Sequence, residues 1–287
     1  MASDAKQSRV MLWTCPRSCS TAVQRSISHV EGGVFYFEPY TMAFYFGPDR
    51  KFQCEANRDE RGEQSSSYLT YDSSVNTFDW VKQTLEAKHQ GASLVFAKDL
   101  AFCLGGTTNL PSGYRHSFLI RNPKKVIPSW RESQNDLKTE FTMGVAEELK
   151  DVVMANSAGF KELFELFKHI QENVDPNPFI MDADDLVAHP EAVMNAYCKA
   201  TGIPFSRKLI EWDDDGLPMY TKWITCRNQL PFFMTSHHNN VATSGGFSKN
   251  GDLKVPRSTL DTDPAVLGII ESSMPHYKHL YQQRFVP

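Results

Sequence analysis

Val10-Met11-Leu12-Trp13-Thr14-Cys15-Pro16-Arg17-Ser18-Cys19-Ser20-Thr21-Ala22-Val23-Gln24-Arg25-Ser26-Ile27 decides how this chain reads. Val10 to Trp13 are consecutive apolar residues, the mark of a short buried strand, and Ala22 to Val30 carries apolar residues at helical spacing. Between them lies a tight polar loop. A strand that feeds a helix through such a loop makes an anion site, because the first-turn amides lack helical partners and the helix dipole adds partial positive charge. Ser18, Ser20 and Thr21 contribute hydroxyl donors, Thr14 can donate from the strand end, and Arg17 adds a planar fork suited to phosphate or sulfate oxygens.

Outward from this stretch, strands and helices alternate. Val34 to Phe37 reads as a second strand ended by Glu38-Pro39, and an aromatic-rich segment, Tyr40 to Phe46, follows. Val75 to His89 has helical spacing, Ser93 to Ala97 reads as a strand closed by Lys98-Asp99, and Arg115 to Ile120 as another. Pro123 suits the first position of a helix. Val145 to Val174 reads as a long amphipathic helical region interrupted near Gly159. Pro178 to Met181 reads as a strand, Pro190 to Thr201 as a helix stopped by Gly202, and Pro264 to Gln283 as a short final helix. This order implies βαβ units and a three-layer α/β architecture, a central parallel sheet flanked by helices. One domain over residues 1–287 is expected. The charged, aperiodic residues 49–68 suit a lid loop, and residues 204–260 a capping or substrate region.

The chain has 287 residues, 41% of them hydrophobic and 22% charged, with a net charge of −4. That balance gives no general pull toward nucleic acid or an anionic membrane, so an anion site must be built locally. No apolar run approaches a membrane span and the first residues carry no apolar leader, so a cytoplasmic location is expected. Six cysteines are scattered through a chain large enough to fold without staples, which favours reduced thiols. Cys15 and Cys19 have no second pair to complete a zinc site, and no metal is expected. The oligomeric state stays open.

The loop lacks the Gly-Lys pair of the nucleotide triphosphatase loop. Pro16-Arg17-Ser18-Cys19-Ser20-Thr21 instead resembles the P-R-S-x-S-T loop of sulfotransferases that use 3′-phosphoadenosine 5′-phosphosulfate. A second stretch about a hundred residues later, Arg121-Asn122-Pro123 followed by Ser129, is similar to that family's R-[DN]-P-x-x-x-x-x-S element. The resemblance implies a P-loop-like α/β fold with the donor nucleotide as cosubstrate and its bisphosphate as product. It also implies a 5′-phosphosulfate held by Thr14, Arg17, Ser18, Cys19, Ser20 and Thr21, and a 3′-phosphate held by Arg121 and Ser129. Cys19 stands where the family usually has glycine. Ala183 to Pro204 resembles a family segment from which only a helix-start role carries over. Ser244 to Lys254 resembles the closing C-terminal loop, with Lys249 as its nucleotide contact.

The implied reaction is in-line transfer of a sulfuryl group to a hydroxyl or amine of a small-molecule acceptor. Charge develops on the leaving phosphate oxygen, so positive donors aimed there lower the barrier. The resemblance gives that role to Arg17 and brings Lys98 near the transferring group. The histidine that serves many members as general base is Leu100 here. Glu38, in Phe37-Glu38-Pro39, resembles the glutamate base of the carbohydrate-type branch; its bland alternative is a carboxylate paired with Arg17. Asp99 and the His237-His238 pair are reserves. Glu38, Tyr40, Phe44, Asp99 and His237 are the expected acceptor contacts. Three other readings stay open: an ATP- and magnesium-dependent P-loop kinase-like phosphotransferase, a non-catalytic nucleotide-binding scaffold, and a variant in which oxidation of Cys15 and Cys19 closes the loop.

Overall fold

The computed structural model describes residues 7–51, 69–140, 157–212, 221–227, 241, 244–247 and 263–287. Seven strands form its sheet: β1 (Ser8–Thr14), β2 (Gly33–Phe37), β3 (Thr70–Tyr71), β4 (Leu94–Leu100), β5 (Arg115–Ile120), β6 (Phe179–Asp182) and β7 (Trp223–Cys226). Their order is β3-β7-β2-β4-β1-β5-β6. Every described pairing between these strands is parallel.

The central strands read as continuous apolar runs because both faces of the sheet are covered. Along β1, Val10 and Leu12 enter one core while Met11 and Trp13 enter the other. The first core includes residues of α1 (Ser20–Ile27) and of Pro190–Thr201. The second includes residues of α2 (Pro39–Phe46), α3 (Phe78–Glu86), α4 (Pro123–Glu140), α5 (Phe160–Asn173) and the C-terminal helix Pro264–Gln282. The result is the expected three-layer α/β arrangement. Between Asp182 and Gly202 the chain makes α6 (Ala183–Ala188) and α7 (Pro190–Thr201); the C-terminal helix is α8.

Most expected elements are found, with instructive differences. β4 does not stop before Lys98-Asp99 but continues to Leu100, because its register with β1 runs on to Thr14 opposite Leu100. The aromatic segment after Pro39 is a helix, α2. The C-terminal helix is not short: it has 19 residues. Within the long helical region expected from Val145, the described part begins at residue 157 and the interruption falls at Gly159, whose φ is +80°. A β-carbon there would lie 2.8 Å from the Phe102 ring. Asp182 starts α6 by accepting from the amide of Asp184 at 2.8 Å, the helix-start role foreseen for this segment. Beyond Pro204 the chain also supplies β7, which pairs with β2 inside the sheet. Most of the expected lid (52–68) and much of 204–260 lie outside the described residues.

Beneath β1, the Trp13 indole donates to His116 Nδ1 at 3.1 Å, and the two rings stack. His116 is buried, and desolvation pushes its imidazole down to about 4. The unfolded chain protonates this histidine near its ordinary value of about 6.5, so as pH falls through that range only the unfolded state gains the proton and folding loses stability. Between pH 7 and pH 5 this one group should remove about 2 kcal/mol. His116→Gln keeps an acceptor for Trp13, and denaturant unfolding should show its stability falling by about 2 kcal/mol less than the parent's over that interval. Equal losses would contradict a neutral, buried His116.

Candidate functional site

Parallel pairing brings the carboxyl ends of β1, β2, β4 and β5 to one edge of the sheet, where ligands of open α/β sheets gather. Thr14 at the end of β1 lies opposite Leu100 on β4 and Leu119 on β5. The Pro16–Cys19 loop therefore emerges between the strand that carries Lys98 and the strand that leads into Arg121.

Two arginines join the loop to the R-N-P stretch. Arg121 Nη1 donates to the backbone carbonyl of Arg17 at 2.9 Å, and Arg17 Nε donates to the Ser129 hydroxyl on α4 at 3.1 Å. Arg121 is buried, and its Nε has no hydrogen-bond partner. A buried guanidinium N–H without an acceptor is costly, and an anionic oxygen is the group that satisfies it best. Ser18 donates from its hydroxyl to the Cys15 carbonyl at 2.7 Å and is hydrogen-bonded to Thr14 as well. Ser20 opens α1 and is buried, and Thr21 beside it is half-buried. Thr14, Arg17, Ser18, Arg121 and Ser129 thus form one connected group around the start of α1.

The loop itself is conformationally unusual. Arg17 and Cys19 have φ of 61° and 70°, in the left-handed region. Cys19, the position at which the resemblance calls for glycine, is the residue that precedes α1. Its carbonyl accepts from the Ala22 amide at 3.0 Å and starts the helix. The loop keeps a glycine-like backbone with a side chain attached. Burial pushes the Cys15 thiol up to about 12 and raises that of Cys19, so both stay protonated near neutral pH. That works against easy oxidation of the pair, since the thiolate is the reactive form.

A second cluster stands on the next two strands, β4 and β2. Lys98 on β4 makes an ion pair with Glu38 at the end of β2, and its ammonium sits 4.2 Å from the centre of the Phe37 ring. The Lys98 side chain is 2% exposed and that of Glu38 15%. Lys98 is thus an ion-pair partner of Glu38. A carboxylate and an ammonium held together at a sheet edge can serve as proton acceptor and as stabiliser of developing negative charge.

The other expected contacts sit deeper. Asp99 is buried and accepts four hydrogen bonds from protein donors: the amides of Tyr40, Thr41 and Leu100 and the Thr41 hydroxyl. This satisfied carboxylate is part of the core beneath the site. Tyr40 is buried, its ring tilted against Trp13 and its hydroxyl donating to the Asn109 carbonyl at 2.6 Å. Phe44 is partly buried and meets Tyr45 and Phe102 edge-on. His237 and Lys249 lie outside the described residues. Among the described residues no three His, Cys, Asp or Glu side chains are grouped to hold a metal ion, and no helix is long and apolar enough to cross a membrane. Thr41 escaped the sequence reading, since a threonine in an apolar helix sends no signal of its own.

The strain at Cys19 is measurable. A left-handed backbone costs a residue with a β-carbon about 1–2 kcal/mol, a cost glycine avoids. The thiol packs against the core on the α1 side, so Cys19→Ala serves as the reference that removes the thiol and keeps the strain. Cys19→Gly should be more stable than Cys19→Ala by about 1 kcal/mol in denaturant unfolding. The opposite order, which is normal for a helix, would contradict the observed loop conformation.

No protein-family model matches the chain. It is 24% identical over 273 residues to branched-chain-amino-acid aminotransferase-like protein 2 of Arabidopsis thaliana, and 24% over 274 residues to protein 1 of the same name. The chain spans 40% of the length of these curated relatives, with 93% of its own residues matched. Among solved structures it is similar to the sulfotransferase domain of the Synechococcus PCC 7002 olefin synthase, with 14% identity and a TM-score of 0.45 over 94% of this chain and 96% of that one. The sulfotransferase domain from the curacin biosynthetic pathway aligns at 15% identity and a TM-score of 0.46, covering 98% and 99% of the two chains. A sulfotransferase from Alicyclobacillus acidocaldarius aligns at 10% identity and a TM-score of 0.48, covering 96% of each.

Proposed function

We propose that this chain is a sulfotransferase that moves a sulfuryl group from 3′-phosphoadenosine 5′-phosphosulfate to a hydroxyl or amine of a small-molecule acceptor. The observation that carries this reading is the coupling of two distant stretches whose residues suit anion binding. Arg121 grips the backbone of the Pro16–Cys19 loop and keeps one buried N–H unsatisfied, while Arg17 reaches Ser129 on α4. An anion bound at each stretch is what a donor with separated 5′- and 3′-phosphate groups requires, and the motif resemblance at both stretches points the same way.

The residues present suit that donor. The buried Arg121 Nε calls for an anionic oxygen, and the hydroxyls of Ser20 and Thr21 add neutral donors at the start of α1. The donor supplies an activated sulfuryl group whose bond to the bridging phosphate oxygen breaks as the acceptor oxygen or nitrogen bonds to sulfur. In this reading Lys98 and Arg17 face the negative charge that builds on the leaving oxygen, and the Glu38 carboxylate takes the acceptor's proton. The Lys98–Glu38 ion pair holds the two groups side by side until substrate separates their tasks. Lysine and arginine provide the positive charge, so the reaction is expected to proceed without added metal. Lys249 and His237 remain candidate contacts to nucleotide and acceptor, and a soluble, cytoplasmic setting suits the expected cosubstrate.

Glu38→Gln tests the assignment. It should lower turnover of the donor in the presence of acceptor mixtures by about 100-fold or more, the usual range for loss of a general base, with donor affinity little changed. Formation of adenosine 3′,5′-bisphosphate with and without acceptor is the readout. Equal turnover in parent and variant would remove Glu38 from the chemistry, and no turnover by the parent with any acceptor class would favour the nucleotide-binding scaffold.

A further inference from the structure

Glu38 occupies an unusual place. It precedes α2 as the cap residue, yet its side chain makes no cap hydrogen bond, and its φ of 52° lies in the left-handed region. A side chain at this position ordinarily accepts from the helix's first amides. Here those amides are served from β4, about sixty residues away. Asp99 accepts from the Tyr40 amide at 2.6 Å, the Thr41 amide at 3.0 Å and the Thr41 hydroxyl at 2.5 Å. The Leu100 amide, at 2.8 Å, holds the same carboxylate from its own strand.

Lys98 and Asp99 are neighbours on β4, so their side chains leave opposite faces of the strand. Both clasp the Glu38 corner. Lys98 takes the Glu38 carboxylate, and its backbone carbonyl accepts from the Glu38 amide at 3.0 Å. Asp99 takes the backbone one turn further on, while the Glu38 carbonyl accepts from Met42 to begin the helix. We infer that Asp99 is a positioning residue for the site, with Thr41 as its partner: it caps α2 in place of Glu38 and so fixes the Glu38 carboxylate on Lys98. A carboxylate that had to cap its own helix would turn toward the amides of Tyr40 and Thr41 and away from the ammonium. Asp99 acts through Glu38 and touches no reacting group. Its importance for turnover rests on the sulfotransferase reading above; its geometric role does not.

A double-mutant cycle reads the geometric role directly. Denaturant unfolding of the Lys98→Met, Glu38→Gln and combined variants gives the Lys98–Glu38 coupling, first in the parent and then in Thr41→Val and Asp99→Asn backgrounds. The coupling should fall by about half or more in both backgrounds. A coupling that is unchanged, or absent in the parent, would overturn the inference. Should Asp99→Asn fail to fold, Thr41→Val, which loses only a hydroxyl, still decides. In the donor assay, Thr41→Val should lower kcat by about tenfold while leaving the donor KM within about twofold, because it misplaces the base without touching the nucleotide loop. A raised donor KM with normal kcat would also overturn it. If the parent turns over no donor, the sulfotransferase reading fails and the coupling measurement still judges the clasp.

Discussion

The parallel register of β1 between β4 and β5 is the constraint on which the rest depends. It sets Thr14 level with Leu100 on one side and Leu119 on the other. The polar loop must then leave the sheet where Lys98-Asp99 and Arg121 also arrive. A slip of one residue would send Val10 and Leu12 to the other face and disorganise both cores. The two cores thereby enforce the geometry of the polar edge.

At that edge charge is distributed in two ways. The arginine group around Ser129 brings positive charge together, and a buried unsatisfied N–H at Arg121 gives it a standing preference for an anion. The lysine group is balanced: Lys98 is nearly buried and Glu38 neutralises it. Losing one partner of such a pair leaves an uncompensated charge in low dielectric, which is why both are held firmly. Polarisation is therefore built into two separate zones, one suited to binding an anion and the other to handling a proton and a developing charge.

The polar loop and the R-N-P stretch stand out in the sequence because their residue types fall at fixed local spacing, and the structure brings Arg17, Arg121 and Ser129 together. The alternating elements were legible for the same reason: α5 buries Phe160, Leu163, Phe167 and Ile170 at helical spacing. Helix α2 was not, since nearly all of its eight residues are apolar or aromatic and leave no period to read. β7 was missed because four residues, Trp223 to Cys226, are too few to show alternation, and β3 has two. The pairing of Glu38 with Lys98, and the capping of α2 by Asp99, depend on β2 and β4 lying side by side although β3 and α3 intervene in sequence. No local pattern contains that adjacency. Cys19 shows a related limit: its departure from glycine was visible, but its glycine-like φ was not.

Titration calorimetry with adenosine 3′,5′-bisphosphate, without metal, against ATP with magnesium, tests the central claim most directly. Saturable binding of the bisphosphate in the absence of magnesium, lost in Arg121→Ala and stronger than binding of ATP with magnesium, is the predicted result. Binding of ATP that requires magnesium, with no response to the bisphosphate, would contradict the account and favour a kinase-like phosphotransferase.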